Sequence, residues 1–164
     1  MIVLTEHRVT SDRFDGLYKK GMALVEETAH YLDGEGRSEA KILTKNASML
    51  YASESMRLTT RLMQVASWLL LQRAANSGEM TVNQVMQERT KVRLLTPSDA
   101  EENTCFDELP IYFRDLVSRS LMMERDIRRL DEELYGDRAA TIGQAPDTNP
   151  VSEQIALLKT VFGN

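Results

Sequence analysis

The sequence predicts an all-α fold: a three-helix bundle with one very long central helix, a short connecting helix and a flexible C-terminal tail. Three observations carry this. Apolar residues recur at three- and four-residue steps over long stretches. No alternating run of Val, Ile and Thr bounded by Asn-Gly or Asp-Gly marks a strand. The chain has 164 residues, 42% of them apolar and 27% charged, with only four prolines, which suits one domain with a proper core.

The elements follow in order. Residues 1–12 read as a flexible N-terminus, and Ser11 or Asp12 can cap the first helix. Phe14, Leu17, Tyr18, Met22, Val25, Ala29 and Leu32 give that helix one apolar face. Asp33-Gly34-Glu35-Gly36 ends it, since glycine reaches the left-handed conformation cheaply. A second helix is expected from about Ser38 to Asn76, roughly 39 residues and ~58 Å long, with Gly78 just beyond its end. Ile42, Met49, Met56, Met63 and Leu70 repeat along it at heptad spacing, with Ala52, Ser53, Thr59, Thr60, Ala66 and Ser67 beside them. This methionine seam reads as core rather than as a docking groove, methionine being a good filler of irregular gaps. Leu58, Leu62, Val65, Leu69 and Leu71 add apolar surface on other sides. Two neighbouring helices do not obviously cover it all, and self-association as a two-fold dimer is the natural remedy.

Thr81 and Gln84 have the spacing of a capping box, opening a short helix to about Leu94. Asp107 and Pro110 precede the last long helix, whose stripe is Leu109, Phe113, Leu116, Ser120, Met123, Ile127, Leu130 and Leu134, and Gly136 is expected to close it. The bundle domain is thus expected over 13–135. Residues 136–164 read as linker and tail, with a short amphipathic helix at 152–162. Ile155, Leu158, Val161 and Phe162 fall on one side of that helix, which is marginal alone and needs a surface to dock on. It either folds back on the bundle or serves as an arm for another protein.

Charge and composition exclude several classes. The net charge is −5, and Asp99, Glu101, Glu102, Asp107 and Glu108 carry the imbalance in one segment, so a nucleic-acid partner is not expected. Cys105 stands alone, which fits a reducing interior. The apolar run Trp68–Leu71 falls far below the roughly 20 residues that span a bilayer. A protein without membrane attachment, located in the cytoplasm, is expected.

Enzyme chemistry finds little support. Glu27 and His30 have Glu-x-x-His spacing, but a di-metal bundle needs a second such motif and further glutamates. A metal-dependent bundle enzyme would have to use Glu26, Glu27, His30 and Glu54, and it stands as the alternative from a different class. Cys105 lies among acids that disfavour its thiolate. Asp33–Gly36 lacks the other ligands of a calcium loop, and no glycine-rich phosphate loop is present. No catalytic, cofactor or metal site is therefore assigned.

Glu54, Arg57, Arg61, Gln64 and Trp68 form a stripe opposite the methionine seam. Three readings are open. The stripe is a solvated face with an internal Glu54–Arg57 pair, or its arginines pair with Glu26 or Glu27, or it faces a partner, since Arg and Trp anchor interfaces most often. The arginines of the last helix alternate with acids, Glu124 among them, and read as an ordinary solvated face.

The blocks GMALVEETAHYLDGEGR (21–37) and YASESMRLTTRLMQVASWLLLQRA (51–74), with Asp-Glu-Leu-Pro at 107–110, resemble the regulator of CtrA degradation family of alphaproteobacteria. The order of Ser, Glu, Met, Arg, Thr, Thr and Arg in 51–74 is not dictated by helix packing, so the likeness is specific. The resemblance implies a homodimer of three-helix bundles with flexible tails. It implies a non-enzymatic adaptor that works with a response-regulator partner and brings cell-cycle regulators such as CtrA to the ClpXP protease. A dimeric signalling scaffold without a protease role fits the residues equally well.

Overall fold

The computed structural model describes residues 2–92, 94 and 105–143, with side chains at 11–92, 94 and 105–136. The chain divides into two compact units, Met1–Arg128 and Arg129–Asn164. Five α-helices are described: α1 (Ile2–Asp33), α2 (Glu35–Ala40), α3 (Lys45–Asn76), α4 (Val82–Arg89) and α5 (Ile111–Gly143), with a 3-10 turn at Phe106–Glu108. The described part of the second unit is the C-terminal stretch of α5. Everything below concerns the first unit.

Several helix boundaries differ from expectation. The first helix begins at Ile2 rather than near Ser11. Neither proline nor glycine occurs before Gly16, and Ser11 and Asp12 are only mildly unfavourable inside a helix. The long second helix is interrupted at residues 41–44, so α2 and α3 are separate. Thr44 supplies the new start: its hydroxyl accepts from the Ala47 backbone N–H at 3.2 Å and donates to Glu108 at 2.9 Å, tying this corner to the entry of α5. Finally, α5 passes through Gly136 and ends at Gly143. A glycine inside a helix costs only about 1 kcal/mol relative to alanine, and Asp137 to Ala140 favour continuation. The tail from 144 onward, with the docking candidates Ile155, Leu158, Val161 and Phe162, lies outside the described residues.

α1 does end at Asp33, but not through a left-handed glycine: Gly34 has a φ of −111°, and among the described residues only Gly78, beyond α3, has a positive φ. Thr81 and Gln84 form the reciprocal capping box of α4, which ends at Arg89, short of Leu94.

The core lies where α1, α3 and the first part of α5 meet. From α1 come Phe14, Leu24, Thr28 and Tyr31, and from α5 come Phe113, Leu116, Val117, Ser120, Met123 and Ile127. At Gly21 side chains of α3 and α5 press against the α1 backbone. A Cβ there would sit 2.5 Å from Leu69 Cδ1 of α3, with Met123 of α5 beside it. One end of the bundle is aromatic: Tyr51 and Phe113 have ring centroids 4.6 Å apart, and Tyr31 packs on Phe113 and Tyr112. Gly36 lets α2 fold tightly onto this cluster, against the Tyr31 carbonyl and the Tyr51 hydroxyl. Towards the other end, Phe14 packs on Trp68, and Arg73 donates to the Tyr18 hydroxyl at 2.8 Å while lying over its ring.

Candidate functional site

Helix α3 carries two apolar stripes, and the one facing inward is not the methionine seam. Its buried residues include Ala47, Tyr51, Glu54, Leu58, Arg61, Val65, Trp68 and Gln72, which alternate steps of four and three. The expected seam points the other way. Ile42 is 85% exposed, Met49 64%, Met56 73%, Met63 66% and Leu70 52%. The reading of that seam as core is overturned. An α-helix can place only one of two opposed stripes against α1 and α5, and the stripe containing Glu54 and Arg61 takes that place.

The partner-facing reading of the arginine stripe is corrected on the same ground. Glu54 and Arg61 are fully buried and Trp68 nearly so, whereas Arg57 and Gln64 are only partly covered. Arg57 donates to the Glu54 carboxylate at 2.7 Å. One turn on, Arg61 Nη1 donates to the Ser120 hydroxyl of α5 at 2.9 Å, and its Nε lies 3.4 Å from the Glu124 carboxylate. The Ser120 hydroxyl in turn donates a hydrogen bond to the Val117 carbonyl at 2.7 Å. Burial lowers the pKa of the Arg61 guanidinium, while the charges of Glu124 and Glu54 oppose that shift. An arginine stays protonated under such a shift. The stripe is therefore an internal polar layer binding α3 to α5. Glu124, expected on a solvated face, is part of it.

A second ionic link joins α1 to α5. Arg119 grips Glu27 with both terminal nitrogens, at 2.8 and 2.7 Å, and also contacts Asp115 at 3.3 Å. The Tyr112 hydroxyl donates to the same Glu27 oxygen. Together Arg119 first and Tyr112 second hold the Glu27 carboxyl at about 2, well below its ordinary value. The sequence offers Glu27 as a partner for the α3 arginines, but its cation is Arg119 of α5.

The residues of the alternative metal site are not brought together. Glu27 is engaged by α5, Glu54 is bonded to Arg57, and Glu26 and His30 are exposed. Among the described residues no three acid, histidine or cysteine side chains converge to hold a metal ion. No helix among them is long and apolar enough to cross a membrane.

What the bundle presents to solvent is the outer face of α3. Between Asn46 and Leu70 its exposed residues are Met49, Ala52, Met56, Thr59, Thr60, Met63, Ser67 and Leu70, none of them charged. The strip from Met49 to Leu70 is about 32 Å long at the helical rise. The Thr59, Thr60 and Ser67 hydroxyls donate to the carbonyls of Ser55, Met56 and Met63, so their polarity is partly spent within the helix. An uncharged helical face of this length, built of methionine and small residues, suits close approach of another helix.

Comparison with known proteins follows the same lines. The family model described as "Protein of unknown function (DUF1465)" matches residues 5–162. The crystal structure of RcdA from Caulobacter crescentus CB15 is 46% identical, with a TM-score of 0.59, covering 74% of this chain and 90% of RcdA. The chain belongs to the RcdA-like family. No curated protein sequence matches it. The family match spans the blocks at 21–37 and 51–74, and the second of these contains Glu54 and Arg61, the α3 members of the buried polar layer, and the exposed Met56 and Met63.

Proposed function

We propose that this protein is a non-enzymatic, cytoplasmic adaptor in regulated proteolysis. It helps deliver cell-cycle regulators such as CtrA to the ClpXP protease together with a response-regulator partner. It does so as a homodimer whose two copies meet along the outer face of α3. The observation that carries the adaptor reading is the 46% identity to RcdA over 90% of that chain, together with the resemblance to the regulator of CtrA degradation family.

The dimer reading has its own support. Met49, Met56, Met63 and Leu70, with the small residues between them, expose an uncharged strip about 32 Å long, long enough for a helix-to-helix contact with a second copy. A face without charge meets a second copy of itself without repulsion, as a two-fold contact demands. Arg57 and Gln64 flank it on one side and provide the polar rim such interfaces carry.

The test is a reconstituted degradation assay with ClpXP, a response-regulator partner and a CtrA-like substrate, with and without this protein and with a version ending at Gly143. Acceleration by the full chain supports the adaptor mechanism. Equal acceleration by the shortened chain places the contacts on the helices rather than on the tail. No acceleration by either, with the partner active on a control substrate, overturns the adaptor reading in favour of a dimeric scaffold.

A further inference from the structure

The α3 face is unusual in which apolar residue it uses. Of the large side chains exposed from Met49 to Leu70, all but Leu70 are methionines. Methionine is also the one apolar side chain that a mild oxidant converts to a polar one. Met123, by contrast, is 8% exposed in the core, against α1 at Gly21. Access therefore sets the α3 thioethers apart from that of Met123.

We infer that Met49, Met56 and Met63 form an oxidative modification site, at which sulfoxidation by a peroxide-class oxidant makes the α3 face polar and weakens its self-association. This rests on the proposed dimer for its consequence, but not for the site itself. In the chemical step the thioether sulfur attacks the peroxide. The O–O bond breaks and an S–O bond forms. Sulfur is oxidised by two electrons, and the peroxide is reduced to water. Each sulfoxide introduces a strong hydrogen-bond acceptor that an apolar interface leaves without a donor. The thioethers are accessible on the free bundle and covered in a face-to-face pair. Oxidation therefore acts on dissociated copies and holds them apart by mass action.

The experiment uses the full chain treated with hydrogen peroxide. Sulfoxides are mapped by peptide mass spectrometry, helicity is followed by circular dichroism, and association is followed by sedimentation. Three outcomes are expected. At a protein concentration low enough to populate the free bundle, Met49, Met56 and Met63 oxidise at least about tenfold faster than Met123, as their exposure there dictates, with helicity retained. Association weakens at least about tenfold, the effect of one unsatisfied polar group at the interface. Methionine sulfoxide reductases A and B restore it. The variant Met49→Leu with Met56→Leu and Met63→Leu keeps the apolar face and should associate normally while losing its sensitivity to peroxide.

Failures are distinguishable. An untreated protein that is monomeric overturns the dimer reading and the regulatory consequence, while the mapped rates still decide the site. An untreated dimer that stays equally tight after full oxidation at these residues overturns this inference alone. So does a triple variant that remains peroxide-sensitive, which would move the effect to Met122 or Cys105. Equal oxidation of Met123 would remove the site.

Discussion

Replacing Arg61 by methionine is the sharpest probe of the buried layer. Arg61 is fully covered, bonded to Ser120 and paired with Glu124 across the α3–α5 contact. Methionine fills much of the same volume but removes the guanidinium 3.4 Å from the Glu124 carboxylate, itself 5% exposed. Removing one member of a buried ion pair costs about 3–5 kcal/mol. Glu54 retains Arg57, so a loss near the lower end, about 3 kcal/mol, is expected. Adding Glu124→Leu removes that buried carboxylate, and the double variant should return to within about 1 kcal/mol of the parent. The assay is urea unfolding followed by circular dichroism, at several protein concentrations so that association is separated from folding. A loss under about 1 kcal/mol for the single variant would match an exposed ion pair and refute the buried layer.

Three further outcomes are expected. Glu27, held at about 2 against an ordinary 4.5, contributes stability that is present above its ordinary value and lost as pH falls through this window. Because the Glu27–Arg119 pair is partly exposed, the contribution is about 1 kcal/mol, and Glu27→Gln should flatten melting curves taken over that acidic range. Gly36→Ala should destabilise by about 2 kcal/mol or more, because its Cβ would lie 2.8 Å from the Tyr31 carbonyl, which is backbone and cannot swing aside. Gly16→Ala, with open space around it, should instead stabilise by up to about 1 kcal/mol in the same thermal denaturation experiment.

Much of the bundle was legible because its signals are local. The Asp33-Gly34 break, the Thr81–Gln84 capping box and the Phe113–Ile127 stripe each depend on neighbours within a turn or two. The orientation of α3 was not legible. Both of its stripes have heptad spacing, and counting apolar residues favours the methionine seam, whereas the true inner stripe contains Glu54, Arg61 and Gln72. Charged residues are almost never fully buried unless paired, and the pairing partner Glu124 lies far along the chain on α5. One signal pointed to it. Ser120 is the lone polar residue in the α5 stripe, and a polar position inside a packed seam calls for a polar partner across it. The start of α3 was missed for a different reason. Thr44 caps it without any proline or glycine nearby, and Ser38 to Leu43 also suit a helix, so no residue type announces the break.

The α3 methionine face, and not the arginine stripe, is the surface proposed for contact with another copy of this protein. Sedimentation velocity of the parent beside Met56→Glu with Met63→Glu tests it most directly, with thermal melts run in parallel. The account predicts a dimeric parent and a monomeric variant that keeps its helicity, since both substituted residues are exposed on the single bundle and two carboxylates per copy would repel across a two-fold axis. A variant that associates as tightly as the parent would contradict it.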